Sequence, residues 1–378
     1  MKSLLDQTDH AALIKGEHDD RARQDFAFTL RNLVTSDWMP STRTVFDKRA
    51  GPAFARATGK PAETPREIRS AMDGDGWYRF YLSARRTSQE LIWESVIQPV
   101  ARTLPTAANA VDLDPSVKPP RYLSAIDIHC MPGGYAADRG EDDIAAGAVY
   151  DRGVYLYMSG LMGPRNDGVG ALTARYLKAT YPDFAPRRIL DIGCGVGHAT
   201  LPYCDAYPDA EVHGADIGAA LVRYAAERAR SWDKAVIFHQ RDAEATGFPD
   251  GHFDLVTSHI VLHETSTSAL GRILAESYRL LAPGGMSVHV DQPRFDGADA
   301  WGTFLQENET YYNNEPFWRK YRSIDLAAAA VSAGFAPGDV SLDILSADVV
   351  KQSQNNQQAP PGAAAKRVGF SILIARKR

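Results

Sequence analysis

The chain reads as an α/β protein. It should hold a mostly parallel sheet with helices on both faces, preceded by a mainly helical N-terminal region. Two observations predict this. From about residue 188 onward, short apolar runs alternate with helix-periodic segments. Strands separated by helices pair in parallel and are buried on both faces. Before residue 145, apolar residues recur at helical spacing with no such alternation.

The second region supplies the strands. Residues 188–192, 211–217, 235–240, 253–258 and 286–290 read as five strands, with helices at 219–230 and 269–281. Ala282-Pro283-Gly284-Gly285 stops the second helix. Residues 341–350 and 369–375 read as two more strands, paired antiparallel because no helix lies between them. The Gln- and Asn-rich stretch 352–366 reads as a solvated loop.

The first region is irregular. A helix is expected over 20–36 from Phe26, Leu30, Leu33 and Val34, broken by Trp38-Met39-Pro40. Thr87-Ser88-Gln89-Glu90 has the form of a capping box. After it Leu91, Ile92, Val96, Ile97 and Val100 make one apolar stripe, on a helix that Pro99 should end or kink near Ala101. Residues 104–120 read as a linker, and 121–137 as a strand followed by a Pro-Gly-Gly turn. The expected organisation is a mainly helical lid or interaction region over 1–145 and a binding domain over 146–378. The apolar stripes of the first region need a partner surface, either a lid contact or a homodimer.

Bulk properties narrow the function. The 378 residues carry a formal net charge of -5, which gives no attraction for nucleic-acid backbones. The three cysteines, Cys130, Cys194 and Cys204, form neither a disulfide framework nor a zinc pattern, so a cytoplasmic setting is expected. Charge at the start argues against a secretory signal, and no apolar run is long enough to span a bilayer.

The sharpest feature is Asp191-Ile192-Gly193-Cys194-Gly195-Val196-Gly197, directly after an apolar strand. Glycines permit a tight turn and close approach of a ligand. A dinucleotide loop wants its last glycine at position 198, which is His198 here. Asp191 would repel a pyrophosphate but suits a cationic amino acid moiety. Asp216, followed by Ile217, lies 19 residues beyond Gly197 at the end of the second strand, where a carboxylate can accept ribose hydroxyls. Asp242 and Ala243, past the third strand, can meet an adenine ring. Together these features fit S-adenosylmethionine.

ILDIGCGVGHAT (189–200), GADIG (214–218), RDAEATGFPDGHFDLVTSHIVLHE (241–264) and RLLAPGG (279–285) resemble class I, Rossmann-like S-adenosylmethionine-dependent methyltransferases of the ubiquinone/menaquinone-biosynthesis-like small-molecule branch. The resemblance implies a seven-stranded sheet with its last strand reversed. It implies cofactor roles for Asp191, Gly193, Gly195, Gly197, Asp216, Asp242 and the region of Ser258 and His259, and S-adenosylhomocysteine as product. Cys194 joins the cofactor set as part of the loop. The first 145 residues carry no such likeness.

His259 and His263 follow the fourth strand, at the carboxyl edge where ligands bind. Four residues apart, they would share a face on a helical turn, and either is a candidate general base. No third metal ligand is readable, so no metal is expected. His289 and Asp291 are secondary candidates. The aromatic and amide run 301–321, with Tyr311, Tyr312, Asn313 and Trp318, together with Tyr157, suits a small amphipathic or cationic acceptor. Two other readings stay open: transfer or cyclisation of the aminocarboxypropyl arm, and a non-catalytic cofactor-binding protein.

Overall fold

The computed structural model describes residues 7–107, 111–140, 142–294, 298–346 and 369–378. Strands β1 (Arg188–Ile192), β2 (Glu211–Asp216), β3 (Val236–Gln240), β4 (Phe253–His259), β5 (Leu281–Asp291), β6 (Val340–Leu345) and β7 (Phe370–Arg376) form one sheet in the order β3-β2-β1-β4-β5-β7-β6. The first five are parallel, and β7 runs antiparallel to both β5 and β6. The expected reversed strand and antiparallel final pair are both present. The stretch 352–366 lies outside the described residues.

The central strands are covered on both faces. Successive side chains point to opposite sides of a strand. Leu190 therefore packs with Leu270, Ile273 and Leu274 of the Thr267–Leu280 helix. Its neighbour Ile189 packs with Ala174 and Leu177 of the Gly168–Thr180 helix. That helix approaches the glycine loop closely: a Cβ on Gly170 would stand 2.3 Å from the Ala199 carbonyl oxygen. Gly170→Val is therefore expected to cost roughly 1–3 kcal/mol through forced backbone displacement, read as a lower urea midpoint at an unchanged slope.

The N-terminal region is mainly helical, but several local expectations fail. The chain does not break at Trp38-Met39-Pro40. A π turn, Val34–Trp38, leads into the Met39–Val45 helix. Pro40 falls in that helix's first turn, where a missing N–H is tolerated. Thr87 to Glu90 caps nothing, since it lies inside the Gly76–Thr103 helix. That helix starts at Asp75, whose carboxylate accepts the Tyr78 N–H at 3.0 Å. A working capping box sits instead at Thr64 and Glu67. Pro99 neither ends nor breaks the long helix. It frees the Ser95 carbonyl, and Gln24 Nε2 donates to that oxygen at 3.4 Å.

The described residues of 104–120 do not form a free linker. Asp112 pairs with His239 beside β3, and its carbonyl accepts the Gln240 N–H at 2.8 Å. No strand forms over 121–137; a short helix, Arg121–Ser124, and two 3-10 turns take its place. The turn at Met131–Gly134 is present.

The predicted stripe on the long helix does find a partner surface. Ile92, Trp93, Val96 and Val100 share a core with Ala148, Val149 and Leu156 of the Ala145–Tyr157 helix and with Leu221 and Tyr224 of the Ala219–Arg230 helix. Asp151 ties the same elements together. Fully buried, it accepts from Gln7 Nε2 and the Tyr224 hydroxyl at 2.8 Å, and it pairs with His10 Nε2 at 2.9 Å and His198 Nε2 at 2.7 Å.

Candidate functional site

The glycine loop leaves β1 and turns before the Leu201–Ala206 helix. Gly193, Gly195 and Gly197 take φ of 68°, 53° and 77°, the left-handed region that favours glycine. A Cβ on Gly193 would stand 2.7 Å from Val261 Cγ2, so the loop after β4 fits against this one. Gly195 lies under the Tyr150 ring, with 3.7 Å from an added Cβ to Tyr150 Cε1. Tyr150 stacks on His198 and meets Tyr135 edge-on, forming an aromatic cover.

Asp216 closes β2 beside this loop. One of its oxygens accepts the Gly195 N–H at 2.8 Å and the other the Gly218 N–H at 2.9 Å. Each carboxylate oxygen keeps a second lone pair for a ligand hydroxyl. Burial pushes the acid up to about 6, helped by the nearby Glu264 and Asp191 carboxylates and opposed by the two N–H donors. Hydroxyl donors favour the ionised form. Affinity for S-adenosylhomocysteine is therefore expected to fall as pH drops through about 6, by no more than ~tenfold per unit. Calorimetry across pH 5–8 (roughly the working range) checks this, and Asp216→Asn should flatten the profile.

Asp191 is engaged internally. It accepts from Thr200 Oγ1 at 2.6 Å and pairs with His259 Nδ1 at 3.2 Å, acting as a strut between the loop and β4. Cys194 is buried, its thiol pushed well up by that burial. The Ile217 carbonyl accepts from Gln240 Nε2. Asp242 accepts the Glu244 N–H at 2.9 Å, and Ala243 packs against the core beside it. Ser258 is buried in β4, its Oγ 2.7 Å from His289 Nδ1.

His259 and His263 do not share a helical face. His259 ends β4, Ile260 takes φ 60°, and His263 lies in a 3-10 turn, Leu262–Glu264. The left-handed residue reverses the chain and parts the rings. His259 Nε2 faces the Tyr203 hydroxyl at 3.2 Å. His263 is fully buried, with Nδ1 2.6 Å from Asp291 Oδ1. Burial opposes charge on its ring, but Asp291 and Glu315 outweigh it and raise it to about 10.

Around His263 gathers a cluster that sequence reasoning did not assemble. His129 Nε2 stands 2.8 Å from Glu264 Oε1, and His129 Nδ1 stands 3.1 Å from Glu315 Oε1. The Tyr135 hydroxyl donates to Glu264 at 2.9 Å. Asn313 Nδ2 lies 3.0 Å from His129, Tyr157 packs 6.1 Å from the His129 ring, and Trp318 packs 5.5 Å from the His263 ring. Three of the expected acceptor residues thus meet here. Tyr312 packs instead near Phe304 under the N-terminal helices. Tyr311 is 71% exposed and contacts Tyr312. His129 escaped notice because 135 residues separate it from Glu264. A surface hollow of about 530 Å³ on the Gly168–Thr180 helix includes none of these residues.

The strand order, the reversed β7 and the glycine loop after β1 define a Rossmann-like α/β architecture. Residues 189–285, from β1 into β5, match the family model described as a methyltransferase domain. Over 109 residues the chain is 39% identical to a demethylmenaquinone methyltransferase from Thermus thermophilus, covering 29% of this chain and 49% of that protein. It is 33% identical over 105 residues to a malonyl-acyl-carrier-protein O-methyltransferase from Legionella pneumophila, covering 28% and 36%. It is 37% identical over 113 residues to a trans-aconitate 2-methyltransferase from Methylobacterium radiotolerans, covering 30% and 41%. The matched stretches span at most about half of these relatives. No helix among the described residues is long and apolar enough to cross a membrane.

Proposed function

We propose that the chain is an S-adenosylmethionine-dependent methyltransferase acting on a small-molecule acceptor. One observation carries the reading: three left-handed glycines face a buried carboxylate, Asp216, one strand over. In this reading Asp216 accepts from the ribose hydroxyls, and Asp242 and Ala243 meet the adenine. Backbone N–H groups of the loop, braced by Asp191, hold the amino acid moiety. Methyl transfer is an in-line displacement, so its main demand is alignment of acceptor, methyl and sulfur. Tyr150 and Tyr135 exclude water above the loop. Ser258 and His259 brace the floor, with His259 a positioning residue held by Asp191 and Tyr203.

The acceptor lies, in this reading, toward His263, Tyr157, Asn313 and Trp318. Residues 1–145 then serve as a cover rather than a separate module, because His129 and Tyr135 reach Glu264 from that region. The free cysteines fit a cytoplasmic setting. The test is product analysis with a panel of small quinols, carboxylic acids and amines. S-Adenosylhomocysteine together with a methylated acceptor is expected. Methylthioadenosine in its place, or cofactor binding without turnover of any compound, would overturn the assignment.

A further inference from the structure

We propose that His129, His263 and Glu264 form a binding site for a first-row divalent transition-metal ion, adjoining the cofactor loop. The inference rests on the geometry of the cluster and does not depend on the methyl-transfer reading.

The ligand atoms converge. One atom from each of the three residues lies within 4.8 Å of the others. His129 Nε2 is 2.8 Å and His263 Nε2 3.8 Å from Glu264 Oε1. Bonds of ~2.1 Å would place neighbouring ligand atoms ~3.0–3.4 Å apart, and the two histidine–Glu264 separations lie within about half an ångström of that range. His263 Nε2 is buried and makes no hydrogen bond. Carboxylate oxygens of Glu315 and Glu264 stand 3.4 and 3.8 Å from it, and Glu315 Oε2 is likewise unsatisfied. A buried ring nitrogen without a well-formed hydrogen bond is costly, and a metal ion in the space it shares with these carboxylates would satisfy it.

The surroundings are those of a ligating pair. Each histidine has its other ring nitrogen on a carboxylate: His263 Nδ1 on Asp291 and His129 Nδ1 on Glu315. Such partners fix the tautomer and present Nε2 to a metal. His129 is also held in place by its backbone. It takes φ 56°, and its carbonyl accepts from Gln89 Nε2 at 2.5 Å and Trp93 Nε1 at 2.7 Å. Left-handed backbone at a non-glycine residue persists only where its surroundings enforce it. Three carboxylates, Glu264, Glu315 and Asp291, face the two imidazoles, and the buried Arg322 guanidinium also interacts with Glu315.

Two imidazoles and one carboxylate favour iron, cobalt, nickel or zinc over magnesium or calcium. Three protein ligands also leave positions open for an oxygen of a bound acceptor. The sequence offered only the pair His259 and His263 as metal ligands; in this cluster His263 is joined instead by its neighbour Glu264 and by His129 from the N-terminal region.

The test uses the untagged full chain, stripped with chelator and titrated with Co(II). One equivalent per chain with ligand-field absorption is expected, competed by Zn(II) and not by Mg(II). Glu264→Gln and His129→Gln should each weaken Co(II) binding by ~100-fold or more, and Asp291→Asn by ~10–100-fold. Circular dichroism and S-adenosylhomocysteine binding on the same preparations report whether fold and cofactor site survive. A wild-type chain that takes up no Co(II) at millimolar concentration would overturn the site, as would folded Glu264→Gln and His129→Gln variants that both bind it at wild-type affinity. A failure of S-adenosylhomocysteine binding alone would count only against the methyl-transfer reading.

Discussion

Replacing Asp216 with alanine is expected to weaken S-adenosylhomocysteine binding by ~100-fold or more, about 3 kcal/mol, as two charge-assisted hydrogen bonds are lost. The carboxylate has two duties. It offers lone pairs to the ligand, and it holds the Gly195 and Gly218 N–H groups at 2.8 and 2.9 Å. Alanine leaves both donors without an acceptor beside the left-handed loop. Stability should fall as well, by roughly 1–3 kcal/mol. Isothermal calorimetry reads the first effect and urea denaturation the second. Wild-type affinity in a folded Asp216→Ala variant would remove the basis for the cofactor assignment.

The second large effect is expected at Asp151. It is fully buried and serves His10, His198, Tyr224, Gln7 and Asn166 at once. Burial opposes its charge, but His10 and His198 hold the carboxyl well below the ordinary range. Asp151→Ala leaves those groups buried without their acceptor, a loss of ~3–5 kcal/mol by analogy with broken buried ion pairs. The sign with pH follows. A carboxyl depressed in the folded state contributes stability that is present above its unfolded pKa of 3.8 and lost as pH falls below it. The wild type should therefore lose stability in acid more steeply than the variant. Because His198 follows Gly197, the variant should also bind cofactor more weakly. A urea midpoint indistinguishable from wild type would show that the network carries no net stability.

Much of the sheet domain was legible in the chain, because its signals are local. The helix over 219–230 and the strand over 188–192 stand where periodicity placed them. A glycine at 193, 195 or 197 advertises its own backbone freedom, and an acid at a strand end needs no distant partner to be noticed. The N-terminal region was read less well. Thr87 to Glu90 matches a helix start in isolation, yet Ser88 and Gln89 are buried within a helix begun at Asp75. Tertiary burial overrode a weak local preference.

The amino-acid sequence by itself determined the strand-and-helix alternation, the left-handed turn at 193–197 and the carboxylate beside it. These depend on intrinsic backbone preference and on side-chain period. Only the tertiary structure decided that His259 and His263 part company, and that His129 joins Glu264, His263 and Glu315. Their meeting depends on one left-handed residue at Ile260 and on helices packed across more than a hundred residues of chain. No local spacing records where two distant imidazoles will come to share a pair of carboxylates.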